Sequence, residues 1–238
     1  MEAVPHDLDL GEQGPMSAYL TLLAAVILLF VLQASLADTA LARAVQMLAA
    51  GTALLLAVRL ADVSRRWRLA VVSVVALGVV AVMADVLAPE SDASTGILLL
   101  VNGLLVAAGP PAIFRAIRRH RAITARTLVG AVTIFVLVGL FFAFVYRSLL
   151  VFDPTSFQAS VGTLRPPTMQ YLSFVTITTV GFGDVIPVSD LARTIVALEA
   201  LVGQVYLVTV VALVVGNLGQ QRLRRVGRPD AAGSAGSE

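Results

Sequence analysis

Residues 178–184 read Thr-Thr-Val-Gly-Phe-Gly-Asp, and the chemistry such a run can do lies in its backbone. An ordinary strand points successive carbonyls to opposite sides. Glycine takes left-handed backbone angles at little steric cost, so Gly181 and Gly183 can turn alternate carbonyls toward one side. Oxygens aligned on one axis can replace the water around a dehydrated cation. Thr179 adds a hydroxyl oxygen to that file, and Asp184 puts an acid at its far end. A bare Gly-x-Gly is a weak signal and commonly marks a turn. The plainer alternative is therefore a tight turn between two helices, with Asp184 as a turn or cap acid.

The elements that hold this run must live in a membrane. Of 238 residues, 58% are hydrophobic and only 13% are charged, and the mean hydropathy is +0.90. A soluble domain is about 25% charged. About 20 apolar residues cross a bilayer core. Candidate spans lie at 18–36, 41–60, 69–88, 96–114, 127–151 and 190–216. The segment 152–189, between the fifth and sixth, contains the glycine-rich run. A short helix is expected at 167–178, with Pro166 and Pro167 suited to its first turn. The chain has no Cys, which excludes disulfides and thiolate metal sites. His6 and His120 lie far apart in sequence, so a histidine zinc site is not expected.

All 17 basic residues are arginine, and their placement sets an orientation. Arg59, Arg65, Arg66 and Arg68 follow the second span. Arg115, Arg118, Arg119, Arg121 and Arg126 follow the fourth, and Arg222, Arg224, Arg225 and Arg228 follow the sixth. With six spans these thirteen fall on one side, against Arg43, Arg147, Arg165 and Arg193 on the other. The positive-inside rule then expects both termini in the cytoplasm and residues 178–184 near the outer face. The loop at 88–93 is acidic and expected outside. Ser35-Leu36-Ala37 resembles a signal-peptidase site, but no Lys or Arg precedes the first apolar run. A signal peptide needs a basic start and a shorter apolar core, so the first span is expected to be retained.

The run extends to Tyr-Leu-Ser-Phe-Val-Thr-Ile-Thr-Thr-Val-Gly-Phe-Gly-Asp at 171–184. This segment resembles the signature of tetrameric potassium channels, and the chain resembles a bacterial six-transmembrane channel with one pore motif. The resemblance implies an all-α membrane protein assembled as a homotetramer, each chain giving one quarter of the pore. It implies that Thr179, Val180, Gly181 and Phe182 offer carbonyls to K+, that Thr179 adds its hydroxyl, and that Gly183 and Asp184 finish the outer mouth. Thr178 and Tyr171 are then filter supports. Many relatives carry Tyr where this chain has Phe182. Phe182 keeps the apolar packing but cannot make the phenol's hydrogen bond. Asp184 is expected either to attract cations at the mouth or to bond Tyr171.

The implied organisation is a cytoplasmic tail at 1–17, a four-helix bundle like a voltage sensor at 18–121, a pore domain at 122–219 and a short tail at 220–238. Gly203 lies inside the last span. It is either a site of close helix packing or, by the resemblance, the hinge at which the inner helix bends. Glu199 is an acid at membrane depth, a functional candidate by default. The favoured role is structural, with Thr178, Ser173 or Arg147 as its partner. A voltage-sensing helix needs arginines within the membrane field, and residues 96–114 have no charge. Arg115, Arg118 and Arg121 keep a spacing of three but begin at the end of that span. A basic anchor on the anionic leaflet is the preferred reading.

The expected function is passive, selective K+ conduction across the plasma membrane, with membrane lipid, K+ and other copies of the chain as partners. No enzyme reaction, no cofactor beyond K+ and no nucleic acid are expected. The alternatives are a weakly selective cation channel of the same fold, a cation transporter with related pore loops, and a non-conducting structural subunit. A Thr-Val-Gly-Asp-Gly run would have argued for the first, several degenerate loops for the second. Neither occurs here.

Overall fold

A computed structural model describes residues 16–36, 39–61, 65–87, 92–118 and 124–226. The expected tails before 16 and after 226, the loop at 88–91, and Arg119, His120 and Arg121 lie outside the described residues. The order is α1 (Met16–Ser35), α2 (Ala40–Ala61), α3 (Arg65–Leu87), α4 (Asp92–Ala107), α5 (Gly109–Arg118), α6 (Ala125–Phe152), β1 (Phe157–Ala159), α7 (Pro166–Ile177), β2 (Val185–Pro187) and α8 (Asp190–Val226).

Among the described residues, five helical stretches are long and apolar enough to cross a membrane: Met16–Ser35, Leu41–Ala61, Asp92–Ile117, Ala125–Phe152 and Asp190–Leu213. The protein is thus an all-α membrane protein in architecture. Helices cover each of the six stretches expected from hydropathy. Helix α3 covers the third expected span. The fourth expected span, 96–114, differs in its bounds. It starts earlier, at Asp92, and divides at Ala108 into α4 and α5. Gly109, Pro110 and Pro111 open α5. Proline suits a helix start because its missing N–H would be unpaired there anyway.

Helix α1 shows how the sequence selects a buried face. Tyr19, Leu22, Val26, Leu29 and Gln33 recur at intervals of three and four and are buried. That interval returns to the same side of a 3.6-residue helix. Leu20, Ile27, Leu28 and Val31 on the other side are exposed, as lipid-facing residues must be. A first apolar cluster joins α1, α2, α4, α5 and α6 through Leu22, Leu29, Leu54, Leu98, Leu105, Ile113 and Leu140. Helix α6 is the spine, packed against α1, α4, α5, α7 and α8. A second, smaller cluster gathers Phe142, Tyr146, Phe157, Met169, Leu172 and Val185. It cements α6 to the short helix α7 and to the antiparallel pair β1–β2, in which Gln158 faces Ile186.

Candidate functional site

The glycine-rich run leaves the end of α7, and local chemistry explains how that helix starts. Pro166 and Pro167 occupy its first positions. The Thr168 hydroxyl accepts from the Arg165 backbone N–H at 3.3 Å. Helix α7 is then wedged against α6 and α1. Gly139 of α6 lets it approach closely, since a Cβ there would meet the Phe174 ring at 2.7 Å. Phe174 sits edge-on to Phe30 of α1, with centroids 4.9 Å apart. Gln170 donates to the Phe30 carbonyl at 3.1 Å.

At the helix end the backbone changes hand on alternate residues. Thr178 still caps α7, and its hydroxyl donates to the Phe174 carbonyl at 2.5 Å. Then Thr179 has φ 62°, Gly181 φ 56° and Gly183 φ 76°. The two glycines reach this region freely. Thr179 does not, because a β-branched residue at positive φ is strained. Sequence reasoning placed the turn of hand at the glycines and missed Thr179, since threonine gives no signal for it.

The hydrogen bonds of this segment are one-sided. The N–H groups of Thr179, Val180 and Gly181 donate back to Thr176 and Val175 carbonyls at 2.9, 2.9 and 3.3 Å. Among the described residues, the carbonyls of 178–183 accept none of these backbone bonds. The carbonyl of Asp184 instead accepts from the Ser160 N–H at 2.8 Å and its hydroxyl at 3.1 Å. One end of the run is therefore held by α7 and the other by the β1–β2 pair. In between stand six consecutive carbonyls committed to no backbone partner. Strong acceptors so arranged can complex a cation.

One side chain braces the run at two points. Tyr171 donates its hydroxyl to Asp184 Oδ1 at 3.1 Å. Its ring lies parallel to Phe182, 2° between planes and 6.3 Å between centroids. Of the two roles weighed for Asp184, the bond to Tyr171 is present in this geometry. Outside the run, Asp153 accepts from the Thr155 N–H, the Thr155 hydroxyl and the Ser156 hydroxyl at 3.0, 2.6 and 2.7 Å. These donors stabilise its ionised form and lower its pKa below the usual carboxylate value.

Behind the run lies α8. Its Gly203 touches α7 so closely that a Cβ would meet the Ile177 carbonyl at 2.5 Å. Helix α8 runs unbroken through this glycine, so close packing accounts for it in this conformation. Glu199 is wholly buried. Its Oε1 lies 2.5 Å from Ser173 Oγ, and the Tyr146 hydroxyl donates to its Oε2. Of the three partners considered for Glu199, Ser173 is present. Thr178 turns to its own helix, and Arg147 donates to Gln46 of α2 at 3.0 Å. Tyr146 was not anticipated: it is 53 residues away and reads in sequence as one more aromatic of an apolar helix. Tyr206 faces α6, where its hydroxyl donates to the Ala131 carbonyl at 2.6 Å. With Phe114, Ile117 and Thr209 it lines an apolar cavity of about 510 Å³.

Residues 132–220 match the family model described as an ion channel. That stretch takes in most of α6, all of α7 and the glycine-rich run, and most of α8. The match and the apolar helices support an ion channel in a multi-pass membrane protein, rather than an enzyme. No curated protein and no solved structure matches the chain.

Proposed function

We propose that the chain forms a homotetrameric, potassium-selective pore in the plasma membrane, with both termini in the cytoplasm. In this reading Thr179, Val180, Gly181 and Phe182 supply carbonyls to K+ and Thr179 adds its hydroxyl. Gly183 and Asp184 form the mouth. The observation that carries it is the alternation of left-handed residues at Thr179, Gly181 and Gly183, with their carbonyls left without backbone partners. Four such segments around an axis make cages of oxygen that replace an ion's hydration shell.

The need for four copies has a physical basis. Irregular backbone is tolerated at membrane depth only where it is buried in protein or lines a watery cavity. Val180 and Phe182 are 53% and 70% exposed in the single chain. Little of α8 between Asp190 and Leu213 is buried in the single chain. Leu198, Leu201, Val205 and Val208 on that helix are open. Other copies would cover α8 and enclose the run in one step, and closed rotational symmetry is the common way to do so. The tightly braced run supports selective rather than weakly selective conduction, because Tyr171 supports both Phe182 and Asp184.

The test is purified protein in liposomes with opposed K+ and Na+ gradients. The expected reversal potential lies near the K+ equilibrium value. A reversal near zero refutes K+ selectivity and leaves the weakly selective channel. Crosslinking in the same membranes should stop at four chains.

A further inference from the structure

Glu199 sits among groups whose protons can be counted. Ser173 Oγ is 2.5 Å from Glu199 Oε1 and 2.7 Å from the Gly139 carbonyl oxygen. The Tyr146 hydroxyl bonds Glu199 Oε2. Ser173, Glu199 and Tyr146 are each 0% exposed, so the count is closed within the protein. A serine hydroxyl has one proton, and a carbonyl or an ionised carboxylate can only accept.

Suppose Glu199 were ionised. Ser173 would then donate to one of its two close oxygens, and the other contact would set two acceptors against each other. A proton on Oε1 removes the conflict. Tyr146 then donates to Oε2, Glu199 donates to Ser173, and Ser173 donates to Gly139. Every contact has one donor and one acceptor. The surrounding charges agree. From α6 the titratable group facing Glu199 is Tyr146, and α7 presents Ser173. Arg147, next along α6, reaches Gln46 instead. A buried carboxylate without a cationic partner is strongly disfavoured.

We propose that Glu199 is a neutral carboxylic acid whose proton completes a chain from α6 through α8 and α7 back to α6. It is a positioning residue. It fixes Ser173, five residues before Thr178 on α7, and so holds the helix from which the run 178–184 departs. Its bearing on conduction rests on the pore reading, but its protonation does not.

The direct test is infrared spectroscopy of the full chain in bilayers near neutral pH. The wild-type minus Glu199→Gln difference should show the carbonyl band of a protonated carboxylic acid. A carboxylate band in its place overturns the proposal. The second readout is K+ flux. Glutamine keeps the pattern, its amide N–H donating to Ser173 and its carbonyl accepting from Tyr146, whereas Glu199→Ala cuts the chain. One net buried hydrogen bond is worth about a tenfold change in an equilibrium. Flux through Glu199→Gln should therefore exceed that through Glu199→Ala by about tenfold. Wild-type flux should also fall at the alkaline pH where the acid band is lost, while Glu199→Gln shows no matching fall. Equal flux through Gln and Ala, or the same alkaline fall in Gln, would overturn it. Should no variant conduct K+, the pore reading fails and the infrared band alone decides the proton.

Discussion

Replacing Gly203 by alanine tests whether α8 must touch α7 for the run 178–184 to hold its shape. Two effects oppose each other. Alanine is a better helix residue than glycine by about 1 kcal/mol. The added Cβ, however, would stand 2.5 Å from the Ile177 carbonyl oxygen and 3.1 Å from its Cα. Ordinary contact begins at 3.4 Å, so the helices must part by about 0.9 Å. The neighbour is backbone and cannot swing aside as a side chain does. Overpacking of this kind costs about 1–3 kcal/mol, and the upper half of that range applies where backbone must move. The net expectation is a loss of about 1–2 kcal/mol. Ile177 is the last residue of α7 and adjoins Thr178, so the displacement passes into the run. Thermal unfolding of the purified assembly measures the stability, and the reversal potential under K+ and Na+ gradients measures the run's geometry. Gly51 is the control: nothing lies within 4 Å of its virtual Cβ, so Gly51→Ala should stabilise by about 0.5–1 kcal/mol. Equal stability and unaltered selectivity in Gly203→Ala would refute the packing argument, and altered opening alone would favour the hinge.

Tyr171→Phe keeps the stack on Phe182 but deletes the 3.1 Å bond to Asp184; it should shorten single-channel openings, and unchanged open times would refute the bracing role. Asp184→Asn should alter conductance or inactivation, and unchanged single-channel records would remove Asp184 from the site. Thr179→Gly relieves a β-branched residue at φ 62° and should release about 1–2 kcal/mol of backbone strain. It also deletes the hydroxyl, so K+ over Na+ discrimination should weaken, as bi-ionic potentials would reveal. Asp153 has a lowered pKa because Thr155 and Ser156 donate to its ionised form. Its stabilising contribution is therefore present above the ordinary carboxylate value of about 3.9 and is lost as pH falls through the lowered folded value. Stability of wild type and Asp153→Asn should differ at neutral pH and converge under acid; a constant difference would refute the linkage.

Much of the protein could be read locally. A run of apolar residues long enough to cross a bilayer is a property of one stretch of chain, and the long apolar helices lie close to where hydropathy puts them. The division at Ala108 had its mark in Gly109-Pro110-Pro111, although the expected fourth span passed over it. Helix α7 began with its two prolines for the same local reason. The left-handed backbone at Gly181 and Gly183 follows from what glycine permits.

Other features depend on distant residues meeting, and no single stretch states them. Thr179 takes φ 62° because α7 holds the N–H groups on one side of it and the β1–β2 pair anchors the other end of the run. In sequence Gly203 fits a hinge or a packing site equally; in the structure it is where α8 meets the end of α7. Arg147 found Gln46 from the far bundle rather than the nearby acid. Glu199 could be recognised as unusual from one letter in an apolar helix. Its partners and its proton were decided only when α6, α7 and α8 enclosed it, because a hydrogen-bond count can be closed only after water has been excluded.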